Sequence, residues 1–279
     1  MHELLLGATL TSAVLIRLCW QPTAQLSDYR WHRSLVAFLL PPLLLLSSAI
    51  AILWMGPFGS MMHHQESWVS YAIAVGFGLA AIAIMLALWI NAQRTLHNLR
   101  QNQPTTVHDR PAWLLETPLP FIAQIGLWNP ELVVSQGILA TLDAEHLEAV
   151  LTHEQAHHHY RDTFWFFWLG WLRRLTIWLP KTQELWLELL TLRELRADAW
   201  AAQQVDPLLL AESLVTLVRA PMEQPEFGAA LNGEILHDRL SERIEALFSP
   251  SVDLLGWDWQ SLGWTIVCLM PLLLIPFHH

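Results

Sequence analysis

The sequence predicts a mainly α-helical membrane protein, with four transmembrane helices and one cytoplasmic α+β domain. The chain of 279 residues is 53% hydrophobic and only 14% charged, which is unusual for a soluble domain. Four apolar runs have lengths near the roughly 20 residues that cross a bilayer core. Between the third and fourth runs lies a long polar segment that combines short apolar stretches with amphipathic helical patterns.

Each apolar run is interpreted as a transmembrane helix, and the runs are residues 4–20, 34–55, 68–90 and 262–277. The second and third are long enough without qualification. The first ends near Arg17, whose long side chain can extend to the interface. The fourth is short and contains Pro271, so a buried core helix is the alternative for that run.

The chain is accordingly divided into three parts. Residues 1–91 form three transmembrane helices, residues 92–260 form the polar domain, and residues 261–279 form a fourth transmembrane helix with a short tail. Arg30 and Arg33 lie in the first loop, and the second loop has no Lys or Arg. Since cytoplasmic loops carry the excess of Lys and Arg, we expect the N-terminus outside and the polar domain in the cytoplasm. The net charge of −10 argues against a nucleic acid partner.

Short apolar stretches begin the polar domain, at residues 113–116, 121–127 and 132–135. Prolines and a glycine separate them, which favours a small antiparallel sheet. Residues 101–110 are expected to be a connector. Asp143 is the expected N-cap of the helix that follows the sheet.

Three or four helices complete the domain. An aromatic segment at residues 163–180 is interpreted as a helix on the inner leaflet, with a core helix as the alternative. Further helices are expected at residues 182–205, 207–219 and 238–248, the second of which begins with Asp206 as N-cap and Pro207 at its first position.

The segment HEQAH places His153 and His157 four residues apart, with Glu154 beside the first histidine. On a helix both imidazoles project from one face. Two neutral imidazoles in this arrangement bind Zn²⁺, and the neighbouring carboxylate accepts a proton from a water that the metal activates. The alternative is a polar helix face in a chain that has fourteen histidines.

A third zinc ligand is expected in the helix that starts near Thr182. Glu194 shares one face of that helix with two small residues, Ala197 and Ala201, which allow another helix to approach closely. Asp198 lies one turn beyond Glu194 and can hydrogen-bond the far nitrogen of a ligating histidine. The alternative is that Glu194 and Asp198 are solvated charges paired with neighbouring arginines.

Together, HEQAHHHYRD and RELRADAWA resemble the integral-membrane gluzincin peptidases. These comprise the HtpX and CAAX-prenyl endopeptidase group and the BlaR/MecR-type antirepressor peptidases. The resemblance spans residues 121–247 and includes GLWNPELVVSQGIL, the Arg161–Asp162 pair and DRLSERIEAL. Three spans, a zinc domain and a fourth span look like the BlaR/MecR layout. However, the sequence ends soon after the fourth run, so we expect no extracellular penicillin-binding sensor.

The resemblance implies a zincin-like domain in a bacterial plasma (inner) membrane, with His153, His157 and Glu194 as ligands and Glu154 as base. Asp162 and Asp198 are expected to support the ligands. His237 and Arg243 are candidate donors to the oxyanion, although Arg243 has the alternative of pairing with Asp198 or Asp162.

The expected function is that of a zinc-dependent endopeptidase embedded in the membrane. Its partners are the lipid bilayer and a cytosolic or membrane-associated protein or peptide substrate, such as a transcriptional repressor. The substrate is expected to add as a strand near residues 121–127. A homo-oligomer is compatible with the sequence. The alternatives are a non-proteolytic transducer or scaffold with a structural zinc site, and a zinc-dependent amidase.

Overall fold

The computed structural model describes residues 2–22, 29–57, 60–61, 64–65, 68–222, 233–249 and 267–277. It is mainly helical with a small mixed sheet, and it divides into two compact units. The first unit comprises Met1–Trp89, Leu169–Leu190 and Val252–His279, and the second comprises Ile90–Trp168 and Thr191–Ser251. The units therefore interleave along the chain.

The first unit contains three helices that are long and apolar enough to cross a membrane. They are α1 (His2–Cys19), α2 (Tyr29–Met55) and α3 (Trp68–Leu99). A short antiparallel pair, β1 (Ser60–Met61) and β2 (His64–Gln65), precedes α3. The three helices share a core around Ala49, Ile52 and Ala74. Three of the predicted spans are thus confirmed as long apolar helices.

The predicted fourth span lies partly outside the described residues. Within residues 267–277, Met270–Phe277 is a 3₁₀ helix of 8 residues. Pro271 and Pro276 lack backbone N–H donors, which disfavours a regular α-helix there. A fourth transmembrane α-helix therefore stays a prediction.

The predicted aromatic helix is observed as α6 (Asp162–Leu175), and α7 (Thr182–Ala201) follows it. Within the first unit, the Trp171 indole N–H donates to the carbonyl of Ala81 at 2.8 Å. Trp186 on α7 lies with its ring centroid 6.2 Å from that of Phe38 on α2. Aromatic residues of this segment thus contact the apolar helices of their own unit.

The second unit begins with a four-stranded mixed sheet, so the predicted antiparallel sheet was wrong in its topology. The strands are β3 (Gln103–Val107), β4 (Arg110–Leu115), β5 (Ile122–Ile125) and β6 (Glu131–Ser135). Their order is β3-β4-β6-β5. The β3–β4 and β5–β6 pairs are antiparallel, but β4 and β6 are parallel. The chain passes through the edge strand β5 before it returns as β6 beside β4, and short apolar stretches do not reveal that order.

The segment expected to be a connector contains β3. It forms a hairpin with β4 through His108 and Asp109, which both have positive φ, 47° and 61°. A two-residue turn of this kind matches the twist of the strands, but it usually contains Asn-Gly. Pro111 lies before the β4–β6 ladder, which begins at Ala112, so its missing donor removes no bond between those strands. The turn without Asn-Gly and the proline in β4 explain why the sequence did not predict this hairpin.

The helices of the second unit pack on one another and on the sheet. Here α4 (Gln136–Thr141) and α5 (Ala144–His159) follow β6, while α8 (Pro207–Met222) and α9 (Gly233–Phe248) come after α7. Val134, Ile138, Val150 and Leu151 are fully buried in the shared core, and each such side chain contributes about 1.5–3 kcal/mol by burial. Asp143 accepts from the backbone N–H groups of Glu145 and His146, which confirms the predicted N-cap.

Candidate metal centre

The α5 helix buries both apolar and polar side chains. Its apolar residues Leu147, Val150 and Leu151 pack into the core. His153, Glu154 and His157 are also buried. Buried polar groups need partners, so the partners of these three side chains reveal what this part of the helix does.

Glu194 on α7 lies against the two histidines within the second unit. The Nε2 atoms of His153 and His157 are 3.2 Å apart. One Glu194 oxygen lies 3.4 Å from His153 Nε2, and the other lies 3.8 Å from His157 Nε2. One ligand atom from each residue lies within 4.8 Å of the other two, so the cluster could bind a metal ion.

These spacings are close to those between the ligands of a zinc ion. Zinc binds imidazole nitrogen and carboxylate oxygen at about 2.0–2.2 Å, so two tetrahedral ligands are separated by about 3.3–3.6 Å. The Nε2–Nε2 distance and the distance from His153 Nε2 to one Glu194 oxygen are close to that range, whereas the distance from His157 Nε2 to the other oxygen is longer. If all three residues bound a tetrahedral ion, one position would stay open, as it does in catalytic rather than structural zinc sites.

The outer nitrogen of each histidine faces a carboxylate. His157 Nδ1 is hydrogen-bonded to Asp162 at 2.7 Å. His153 Nδ1 lies 2.8 Å from Asp198, a polar contact outside hydrogen-bond geometry. A proton held on Nδ1 leaves the Nε2 lone pair available for a metal. Asp162 and Asp198 thus lie where the sequence analysis expected supporting carboxylates.

The turn between α5 and α6 places Asp162. Arg161 adopts the left-handed conformation, with φ of 53°, so α6 begins only three residues after α5 ends. Asp162 also accepts from Arg196 on α7. This carboxylate therefore joins three helices around His157.

Two arginines surround the Glu194 carboxylate. Arg193 donates from Nε and Nη2 to one oxygen, at 2.9 and 2.6 Å, and Arg243 Nη1 lies 3.5 Å from the other. Burial raises the pKa of Glu194, but the histidines and the two guanidinium groups outweigh it and hold that pKa well below its usual range. Glu194 is therefore ionised, as a ligand must be.

The neighbouring Glu154 has the opposite shift. Burial raises its pKa above the usual range, although His153, His157 and Arg193 partly counteract it. A carboxylate with a raised pKa accepts protons more readily near neutral pH. Glu154 and Glu194 thus differ in protonation behaviour although they belong to the same cluster.

Both histidines of the cluster have raised pKa values. Burial lowers the pKa of His153, but Asp198 and Glu194 raise it overall to about 9. The pKa of His157 is raised as well, because the effects of Asp162 and Glu194 outweigh that of burial. A metal would therefore displace protons from this cluster.

The two candidate oxyanion donors have different outcomes. Arg243 donates from Nε and Nη2 to the two oxygens of Asp198, at 2.7 and 2.8 Å. This is the pairing that the sequence analysis gave as its alternative. His237 lies in α9, but its side chain is outside the described residues.

Sequence reasoning missed the positions of two arginines. Arg193 pairs with Glu194, as the solvated-charge alternative suggested, yet Glu194 also faces both histidines. Arg196 binds Asp162, which the sequence analysis did not expect. The abundance of arginine beside RELRAD was the only signal in the sequence, and it did not specify partners.

No protein-family model matches the chain, and neither a curated protein nor a solved structure matches it. The resemblance to gluzincin peptidases therefore stays a prediction, and the function is inferred from the geometry of the site.

Proposed function

We propose that the protein is a membrane-anchored, zinc-dependent endopeptidase. The observation that supports this most strongly is the convergence of His153, His157 and Glu194 at the separations of a three-ligand zinc site. Glu154 lies beside these ligands with a raised pKa. A site that only held the domain together would not need an additional buried carboxylate at this position.

When bound, zinc supplies a Lewis acid that polarises a carbonyl and lowers the pKa of a coordinated water to about 7. Glu154 removes a proton from the attacking water, whose oxygen forms a bond to the peptide carbonyl carbon. Glu154 then gives that proton to the amide nitrogen as the C–N bond breaks. The products are a carboxylic acid and an amine, and Glu154 returns to its starting state.

The sheet offers a place for an extended substrate. Strand β5 is at one edge of the sheet and pairs with β6 on its inner side. It also contacts α5, the helix that carries Glu154. An edge strand has backbone groups that can pair with a further strand. We infer that a substrate segment adds along β5, as the sequence analysis expected.

The decisive experiment compares the full-length protein with its Glu154→Gln variant in detergent. We expect equal zinc content, but loss of at least a hundredfold in cleavage of fluorescein-labelled casein by the variant. Undiminished cleavage would exclude Glu154 as the base. Equal zinc content with no cleavage of any protein by either form would favour the scaffold with a structural metal.

The natural substrate is inferred to be a cytosolic or membrane-associated protein in bacterial cells, and a transcriptional repressor is one such class. The comparison of cellular proteomes with the wild type and with Glu154→Gln tests this. Substrates should yield fragments only with the wild type. Fragments confined to periplasmic proteins would contradict the cytoplasmic placement of the site.

A further inference from the structure

Three arginines lie beside the metal-ligand cluster of the second unit, and two of them bind the aspartates that face the histidines. Arg243 binds both oxygens of Asp198 and approaches Glu194. Arg196 binds Asp162, and its guanidinium carbon lies 4.2 Å from the centroid of the Tyr160 ring. Their side chains are 16% and 11% exposed. Both are therefore held behind the ligands.

Arg193 is engaged along one edge only. Its Nε and Nη2 both donate to the same Glu194 oxygen, and among the described residues no acceptor is bonded to Nη1. The guanidinium carbon lies 4.9 Å from the centroid of the Phe166 ring, and this stacking fixes the plane of the group. The side chain is 29% exposed. A rigid guanidinium thus has an unused N–H edge that solvent can reach.

The position of Arg193 is close to both functional carboxylates. It binds Glu194 directly, and its charge is also felt at Glu154, where it opposes the effect of burial on the pKa. Any carbonyl attacked by a water that Glu154 activates must lie near these two side chains. Negative charge that develops on the carbonyl oxygen would then be within reach of a donor beside Glu194.

We propose that Arg193 is a further catalytic residue, which donates from Nη1 to the carbonyl oxygen of the scissile peptide bond. This assignment rests on the proposed function and replaces Arg243 as the oxyanion donor. A guanidinium suits the role because it stays charged and transfers no proton. Being held in place before the reaction, it also stabilises developing charge without reorganisation.

The test compares Arg193→Gln and Arg193→Lys with a matched control, Arg100→Gln. Arg100 is a suitable control because it also binds a glutamate, Glu131, but at an exposed position of the same unit. Full-length proteins loaded with zinc are assayed for casein cleavage and for binding of N-phosphoryl-Leu-Trp, whose phosphoryl oxygens mimic the tetrahedral transition state. Zinc affinity is measured separately by competition with a chelator.

We expect Arg193→Gln to lower kcat by 10²–10³-fold, the usual effect of losing one oxyanion donor. KM should change little, the phosphoryl dipeptide should bind at least tenfold more weakly, and zinc affinity should stay within about threefold. Arg193→Lys should recover part of kcat because it keeps the charge but loses the planar fork. Arg100→Gln should behave as the wild type.

Two results would overturn the role of Arg193. One is unchanged kcat and dipeptide binding in Arg193→Gln. The other is a loss that parallels lower zinc affinity and disappears at saturating zinc, because Arg193 would then only hold Glu194 in place. If the wild type does not cleave casein, the role of Arg193 is tested by comparing the binding of the phosphoryl dipeptide to the wild type and to Arg193→Gln. A different result would contradict the proposed function itself, namely equal cleavage by the wild type and by Glu154→Gln.

Discussion

Each of the two units buries charged side chains, but they do so with different balances. In the first unit, Arg30 and Glu188 form a pair with two hydrogen bonds of 2.6 and 3.0 Å, and their side chains are 6% and 11% exposed. Both carboxylate oxygens of Glu188 accept from the same guanidinium. This pair joins α2 to α7.

The second unit buries a larger cluster of charged and titratable side chains. Glu154, Asp162, Glu194 and Asp198 are its acids, and three arginines and two histidines face them. The Nε2 atoms of the histidines converge on one point beside Glu194. Buried charge is costly unless it is paired or coordinates a metal. The comparison indicates that the Arg30–Glu188 pair holds two helices together, whereas the Nε2 atoms that meet beside Glu194 can bind a cation once the imidazoles lose their protons.

The largest difference between the two units is expected when one glutamate of each is neutralised. Glu194→Gln should lower zinc affinity by more than the 10–100-fold that an outer-shell partner costs, because it removes a ligand. Glu188→Gln should leave zinc affinity unchanged and destabilise the fold by about 3–5 kcal/mol, since Arg30 stays buried without its counter-ion. Chelator competition and thermal unfolding of both variants provide the measurements. Equal effects on zinc would refute the distinction.

A second prediction concerns Gly137 of the second unit and Gly76 of the first. A Cβ on Gly137 would overlap the backbone carbonyl of Pro118, whereas one on Gly76 would meet nothing within 4 Å. Gly137→Ala should therefore destabilise the protein by about 1–3 kcal/mol, as overpacking usually does. Gly76→Ala serves as the control and should have little effect on thermal unfolding. A neutral Gly137→Ala would show that the Pro118 segment moves away without cost.

The pH dependence of zinc binding tests whether the histidines of the cluster in the second unit bind the metal. His153 has a pKa of about 9 without metal, and only the neutral imidazole binds zinc. The ring therefore loses a proton on binding below pH 9, and His157, whose pKa is also raised, can lose another. Apparent affinity should therefore rise at least about tenfold from pH 7 to pH 8 and less steeply near pH 9. Titrations at several pH values measure the slope. Affinity that does not vary with pH over this range would contradict the raised pKa.

The smallest effect is expected at an exposed set of charges. His146 lies 2.7 Å from Asp143 and 3.1 Å from Glu212, and these two carboxylates raise its pKa against the effect of burial. Because the folded-state pKa is the higher one, this stabilisation is present at low pH and disappears as pH rises through it. Solvent screens the pairs, so unfolding temperatures of His146→Gln and wild type should differ slightly at pH 6 and converge at pH 8.5. A constant difference would exclude titration of His146 as the cause.

Much of the local structure could be predicted because its causes are local. Apolar runs of sufficient length specify α1, α2 and α3, whatever they pack against. Asp143 and Pro207 mark helix starts because a capping carboxylate and a missing N–H act within one turn. The four-residue spacing of His153 and His157 put their side chains on one face by helix geometry alone.

Other features depended on contacts between residues far apart in the sequence. In the parallel pairing of β4 with β6, β5 lies at the edge of the sheet. The sequence of a short strand does not reveal which strands become its neighbours. The hairpin at His108 and Asp109 uses positive φ at two successive residues, which is uncommon without glycine even though Asp and His adopt it more often than most residues. Neither feature could be deduced from propensity.

By itself, the sequence determined three apolar helices and a helical face with two histidines, because length and periodicity are properties of one segment. Tertiary structure alone decided that Glu194 meets both imidazoles, that Asp162 and Asp198 take their outer nitrogens, and that Arg243 is engaged while Arg193 keeps a free edge. These pairings depend on which helices pack together and on which charges are buried side by side. The partner of an arginine therefore cannot be deduced from its position in the sequence.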